Sequence, residues 1–420
     1  MKVYLDYAAT SPVKYEVKEA ILPYLEDKFG NPSSLHQWGQ TAKNDLEKAR
    51  SQVADFLNCT SSEIIFTSGG TEADNLALRG IIAQISKSKF LISKKIQKPH
   101  IITSQIEHHA VLRTCEYLEK MGQAEITYLK PNKNGLISVL EVEKAIKKNT
   151  ILISIMYVNN EIGTIQPIRE IGKMIEKMNQ LQCLKGIKNK NSKIYFHTDA
   201  VQATEYLQMN VDYLHVDMLS LSGHKIGAPK GIGALYVRKG TPIEKIIFGG
   251  EQEMNLRSGT ENVAGIVALG KAVDLIKIKN QKSKIKIEEL RNYFIDRVLR
   301  EIPDTELNGS KEFRSPNNAN FYFQYVEGES ILLNLDLVGI AASSGSACTS
   351  ISLEPSHVLM ATYGNPERAH SSVRFTLGEA ITKEEIGYTI KKLKIIINKL
   401  RAMSPFGPST TLGVKKDKNV

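Results

Sequence analysis

Apolar positions in this chain fall into two periods that alternate along its first half. Short, nearly continuous apolar runs predict buried strands at residues 3–9, 63–68, 101–104, 151–157, 219–222 and 231–237, with one more in the run from residue 193 that ends at Asp199. Between them, apolar residues recur at helical spacing. Leu46, Ala49, Val53, Ala54 and Leu57 mark a helix over 39–57, and Ile168, Ile171, Ile175 and Met178 mark another, at steps of 3, 4 and 3. Further helices are predicted over 15–24, after Gly69-Gly70, and from Glu107-His108-His109, the last closed by Gly122. Strand alternating with helix predicts right-handed crossovers and a mainly parallel α/β sheet. A helical region over 263–298, broken by lysines, and shorter strands at 318–323 and 340–343 predict a second, α+β body.

The 420 residues allow two domains. A net charge of +10 raises nucleic-acid binding, but many of the lysines fall in tracts at 87–98, 185–193 and 277–286 that match no nucleic-acid motif. They read as solvated faces, so no direct nucleic-acid partner is expected. The four cysteines form no Cys-x-x-Cys pair, which argues against structural zinc or a disulfide framework and for a reducing compartment. The N-terminus lacks a secretory pattern, and no apolar run approaches the roughly 20 residues that span a bilayer. The expectation is a cytoplasmic protein without a membrane segment.

In open α/β sheets, ligands sit beyond the carboxyl ends of the strands. Five successive loops place candidates there: Thr71, His108, Asn160, Asp199 and Lys225. Lys225, in Ser222-Gly-His-Lys, suits Schiff-base chemistry, although a solvated loop lysine would read alike. Asp199 can pair with a pyridinium nitrogen or merely hold a turn. Gly69-Gly70-Thr71, between strand and helix, is an anion cradle, and equally a tight turn. The paired His108-His109 raises metal binding, but no third ligand follows at suitable spacing. Cys348, in Ser343-Ser-Gly-Ser-Ala-Cys-Thr-Ser, sits in a stretch too small and polar to pack, where an exposed, mobile thiol can act as a nucleophile. Arg374, among apolar neighbours, has a carboxylate to hold, from a side chain or a substrate.

Taken together, Phe66-Thr-Ser-Gly-Gly-Thr-Glu-Ala-Asp-Asn, Glu107-His108, Val158-Asn-Asn-Glu-Ile-Gly, Ser222-Gly-His-Lys, Arg257-Ser-Gly-Thr and the Cys348 segment resemble the cysteine desulfurases, in the group with a long catalytic-cysteine loop. The resemblance runs from residue 4 to about 400. It implies the fold-type I architecture of pyridoxal 5′-phosphate (PLP) enzymes, with a large domain at 14–262 built on a mainly parallel seven-stranded sheet. Residues 1–13 and 263–420 would form the smaller α+β domain with the cysteine loop. It further implies a Schiff base between Lys225 and PLP, His108 over the ring, Asp199 on the ring nitrogen and Gln202 on the ring oxygen. Gly70, Thr71, Ser222, His224 and a partner subunit's Thr260 would take the phosphate, Asn160 would be a further cofactor contact, and Asn160 and Arg374 would hold the carboxylate of L-cysteine. Lys225 would act as base at Cα, His108 as an acid/base partner, and Cys348 as the thiolate that becomes a persulfide, leaving L-alanine.

A homodimer follows from the resemblance, as does delivery of sulfur to an iron–sulfur scaffold or another acceptor. No resident metal is expected, with Cys348 at most touching a cluster transiently. The rivals are a selenocysteine lyase or other class-V aminotransferase-like enzyme, and an inactive assembly platform. Departures from the family pattern are the lysine-rich stretches 87–98 and 180–192, Glu251-Gln-Glu-Met-Asn-Leu before the Arg257 loop, and the tail from Pro405, which bears on the scaffold partner.

Overall fold

The computed structural model describes residues 1–90, 98–184, 193–278, 281–344 and 354–404. Among these the strands are β1 (Val3–Tyr4), β2 (Ile64–Thr67), β3 (His100–Ser104), β4 (Glu125–Leu129), β5 (Thr150–Ser154), β6 (Tyr195–Asp199), β7 (Met218–Ser222), β8 (Gly233–Val237), β9 (Thr305–Leu307), β10 (Asn318–Phe323), β11 (Ile340–Ala341) and β12 (Ser372–Thr376). Seven of them make the large sheet, in the order β2-β8-β7-β6-β5-β3-β4.

The large sheet is parallel from β4 to β7 and antiparallel only where β8 meets β7 and β2. The exception has a steric reason: the stretch 223–232 is too short for the dozen or more residues a parallel crossover needs. Alternate residues feed two cores on opposite faces. Ile64, Phe66, Ile153, Phe196 and Leu219 join one, and Ile65, Leu152, Tyr195, Met218 and Leu235 the other. A sheet covered on both faces needs strands apolar throughout, as the sequence runs are.

A third core gathers β1, the antiparallel sheet β12-β10-β9 and the chain from Ile287 onward. Phe294, Phe321 and Phe375 lie at its centre, with ring centroids 5.2–6.1 Å apart. The sequence reading put a boundary after residue 262, but the helix Val263–Ile278 packs with the large-sheet core through Ile266, Leu269 and Val273. Gly270 permits this. A Cβ there would stand 2.9 Å from Ala49 on the helix Gln37–Leu57.

Several elements stop short of their predicted ends, among them β5 at Ser154, β11 at Ala341 and two near the N-terminus. The first strand covers only Val3–Tyr4, because Asp6 turns the chain by accepting the Ala9 N–H at 3.0 Å. The helix from Tyr15 ends at Ile21 and becomes a 3-10 turn, Leu22–Leu25, where Pro23 enters.

Candidate active site

The carboxyl ends of β6 and β7 open onto a cavity of about 320 Å³. Lys225 stands just past β7 in a single 3-10 turn, Gly223–Lys225. Its Nζ donates to the carbonyls of Ala8 at 2.6 Å and Ala9 at 2.7 Å, so the N-terminal segment orients the lysine. Gln202 donates to the same Ala8 carbonyl at 2.9 Å. Ser11 fixes the turn, its hydroxyl donating to the His224 carbonyl and accepting from the Gly227 N–H, each at 2.9 Å. Gly227 has φ +87°, a conformation that favours glycine.

Asp199 closes β6, and its Oδ1 accepts the Val201 N–H at 2.9 Å. Burial raises its carboxyl to about 6, against the opposing pull of the Lys225 cation. Across the cavity the helix Gly70–Phe90 presents its N-terminus. A Cβ on Gly70 would lie 2.7 Å from Val201 Cγ2, so glycine is what lets that end come close to the Asp199 segment. Thr71, Ser222 and His224 line the same cavity. His224 pairs through Nδ1 with the Thr10 hydroxyl at 3.2 Å, and burial and Lys225 hold its imidazole down at about 4.

His108 caps the helix His109–Lys120, its Nδ1 accepting the Ala110 N–H at 3.1 Å. Burial, with Lys225 adding to it, lowers its pKa to about 4. Arg374 comes from β12, which packs in the third core. It donates to the Asn160 carbonyl at 2.8 Å and to Asp6 at 2.9 Å. Arg374 Nε and Asn160 Oδ1 are both buried without a partner. Unpaired buried groups carry a cost that a ligand relieves, and both residues line the cavity.

Behind Asp199 lies a buried polar layer. His197 is held between the hydroxyls of Ser154 at 2.9 Å and Ser220 at 3.0 Å. Asp74 stands 3.7 Å from that ring, and burial raises its carboxyl well above the usual range. Glu107 is buried beside them and is raised to about 8, again by burial.

The cavity thus collects Gly70, Thr71, His108, Asn160, Asp199, Gln202, Ser222, His224, Lys225 and Arg374. Thr260 is exposed and stands outside its lining. Cys348 lies outside the described residues, as do most of the lysine-rich stretches and the tail from Pro405. The cavity also takes in Ala8, Ala9, Asp74, Glu161 and His357, which sequence reasoning missed. Asp74 falls within a quoted motif, and the alanines act through backbone carbonyls that no residue type betrays. Among the described residues, no group of His, Cys, Asp or Glu is placed to hold a metal ion.

These residues fit PLP: a helix N-terminus with hydroxyls for a phosphate, a buried carboxylate for the ring nitrogen, and a lysine for the aldehyde.

The chain matches the family model "Aminotransferase class-V" over residues 3–388. It is 52% identical over 405 residues to the cysteine desulfurase IscS of Dictyoglomus turgidum, covering 96% of this chain and 97% of that one. Among solved structures it resembles a NifS-like protein at a TM-score of 0.83 and 34% identity, over 95% of this chain and 100% of that chain. It also resembles SspA in complex with cysteine, at a TM-score of 0.75 and 38% identity over 90% and 99%. This chain is a member of the class-V aminotransferase family, among its cysteine desulfurases.

Proposed function

We propose that the protein takes sulfur from L-cysteine, leaving L-alanine and a persulfide on Cys348 that passes to an iron–sulfur scaffold or another acceptor, such as one for tRNA or cofactor thiolation. The observation that carries the reading is that one cavity joins Lys225 and Asp199 to Arg374, whose buried Nε–H is an unpaired donor for a substrate carboxylate, with Asn160 lining the cavity beside it.

The family is PLP-dependent, and the cofactor, when bound, supplies a sink for the electrons released at the substrate's Cα. Gly70, Thr71, Ser222 and His224 would hold its phosphate, joined by a partner's Thr260. Asp199 would hold the ring nitrogen and Gln202 the ring oxygen, with His108 as a further contact to the ring. Arg374 and Asn160 orient the substrate carboxylate. Lys225 Nζ moves the Cα proton, and the Cys348 thiolate attacks the substrate sulfur.

A homodimer accounts for Phe29, Leu35, Trp38 and Phe248, which stand 72%, 93%, 60% and 75% exposed. No helix among the described residues is long and apolar enough to cross a membrane. Cys59 and Cys115 are unpaired, in keeping with a reducing cytoplasm.

The test is alanine and sulfide release from L-cysteine, followed with the visible spectrum, in wild type, Cys348→Ala and Lys225→Ala. Wild type is expected to be yellow and active, and Cys348→Ala yellow and inactive. A fully active Cys348→Ala would point instead to a lyase that does not use the thiol, and a wild type colourless after added PLP would refute the cofactor assignment.

A further inference from the structure

We propose that His357 is a further catalytic residue of this site, the imidazole whose Nδ1 takes up and returns the proton that moves during sulfur transfer. The inference rests on the desulfurase reading above.

That reaction has a proton to carry. A thiol gives up its proton and attacks the substrate sulfur, so that an S–S bond forms. The Cβ–S bond breaks with its electron pair left on the carbon fragment, which then takes a proton to become the methyl group of alanine. No redox partner is needed, because the sulfur passes as a neutral atom and the lost thiol proton equals the gained C–H proton.

The histidines around the cavity differ in which nitrogen is engaged. His108 is spoken for: its Nδ1 accepts a backbone N–H, so the neutral ring keeps its hydrogen on Nε2 and offers a donor, and taking a second proton would break the cap of the helix His109–Lys120. His197 is enclosed by two hydroxyls, and His224 pairs with Thr10 on the side assigned to the phosphate. His357 is engaged through its other nitrogen. Its Nε2 lies 2.9 Å from the Glu107 backbone carbonyl. A carbonyl can only accept, so Nε2 carries the hydrogen and Nδ1 the lone pair. The ring lines the cavity and is half-buried.

It is also rigidly placed. Ser356 caps the helix His357–Tyr363 by accepting the Leu359 N–H at 3.1 Å, and its hydroxyl donates to the Glu161 carboxylate. Val358 and Leu359 form a small separate core with Ile106 and Ile162, from the two loops that carry His108 and Asn160. A base on so fixed an element meets the geometric demand of proton transfer. The titratable groups about it are His109, whose ring centroid is 4.5 Å away, His108 beyond it, Glu107 below, Glu161 through Ser356, and Glu354 acting on His109.

The discriminating variant is His357→Gln, whose side-chain amide can still donate to the Glu107 carbonyl but offers no base. Single-turnover alanine formation is expected to fall about 100-fold, with the cofactor absorbance and the unfolding midpoint as in wild type. The acid limb of the rate–pH profile, where a protonated base slows the reaction, should flatten. Added imidazole should restore part of the rate to His357→Ala, and ring 15N shifts of the unloaded protein should report the Nε2–H tautomer. A Gln variant within about threefold of wild type would overturn the proposal and leave His357 as a tie to Glu107, and an Nδ1–H tautomer would overturn it independently. If wild type itself makes no alanine, the desulfurase reading falls first; if wild type is active and the Gln variant equally so, only this inference falls.

Discussion

Replacing Glu107 by Gln should make the protein more stable above neutral pH and leave it nearly unchanged in acid. The side chain is fully buried. Oε1 accepts from the Ser104 hydroxyl at 2.5 Å and the Met156 N–H at 3.0 Å, and Oε2 has no partner. Burial, aided by the Asp199 charge, raises its pKa from 4.5 to about 8. The folded form therefore holds a proton between those values that the unfolded chain has released. This contribution to stability is complete below about 4.5 and is lost as pH rises through about 8. Every pH unit that separates the folded from the unfolded titration is worth about 1.4 kcal/mol, which sets a ceiling on the order of 5 kcal/mol, and water entering on ionisation should reduce the observed effect to roughly 2–3 kcal/mol. The amide keeps an acceptor for Ser104 and Met156 and does not titrate. Denaturant midpoints of both proteins should agree within about 1 kcal/mol near pH 5 and diverge in favour of Glu107→Gln near pH 9. A difference that is the same at both pH values would refute the reasoning, since it would mean that Glu107 titrates alike in the folded and unfolded states.

Arg374→Lys gives up a planar fork that spans Asp6 and the Asn160 carbonyl, which an ammonium cannot reproduce. The KM for L-cysteine should rise about 10–100-fold, as loss of a charged hydrogen bond implies, and an unchanged KM in steady-state kinetics would rule out the substrate role. Arg50→Met removes the partner of Glu253, held at 2.7 and 2.9 Å and itself accepting the Phe66 N–H. With the carboxylate left buried, the denaturant midpoint should fall by the equivalent of about 3–5 kcal/mol, and adding Glu253→Gln should recover part of the loss.

The parallel sheet was legible because its strands are buried on both faces and so read as unbroken apolar runs. β4 was not, because Glu125–Leu129 lies at the edge of the sheet and only Ile126 and Leu129 are buried. Its polar Glu-x-Thr-Tyr alternation matches no run of that kind. The helix Lys383–Met403 went unread for a different reason. Ile386, Ile390, Leu393 and Ile397 carry the helical period, and Thr382 with Glu385 forms a capping box. The information was present, masked by the lysines on the outer face. Val263–Ile278 shows a third limit: its period foretells a helix, but which core it joins depends on Gly270 meeting Ala49, a contact between residues far apart in sequence.

The site shows where residue types stop being informative. That five loops would converge follows from the rule about strand ends in open sheets, and the cavity does collect residues from all five. What each residue can do there depends on partners the sequence does not name. The sequence read Arg374 as holding a side-chain or a substrate carboxylate, and the geometry allows both: Asp6 takes one arm while Nε stays unpaired. His108 and His357 are the same residue type in the same cavity and carry their hydrogen on the same nitrogen, Nε2, yet a backbone N–H on one ring and a backbone carbonyl on the other leave opposite ends free, a donor on His108 and a lone pair on His357. Which nitrogen is left free is set by main-chain groups at a helix start and in a loop, and these are fixed only once the fold is complete. The division of acid and base work among the histidines is therefore a property of the tertiary structure, even where every histidine involved was visible from the start.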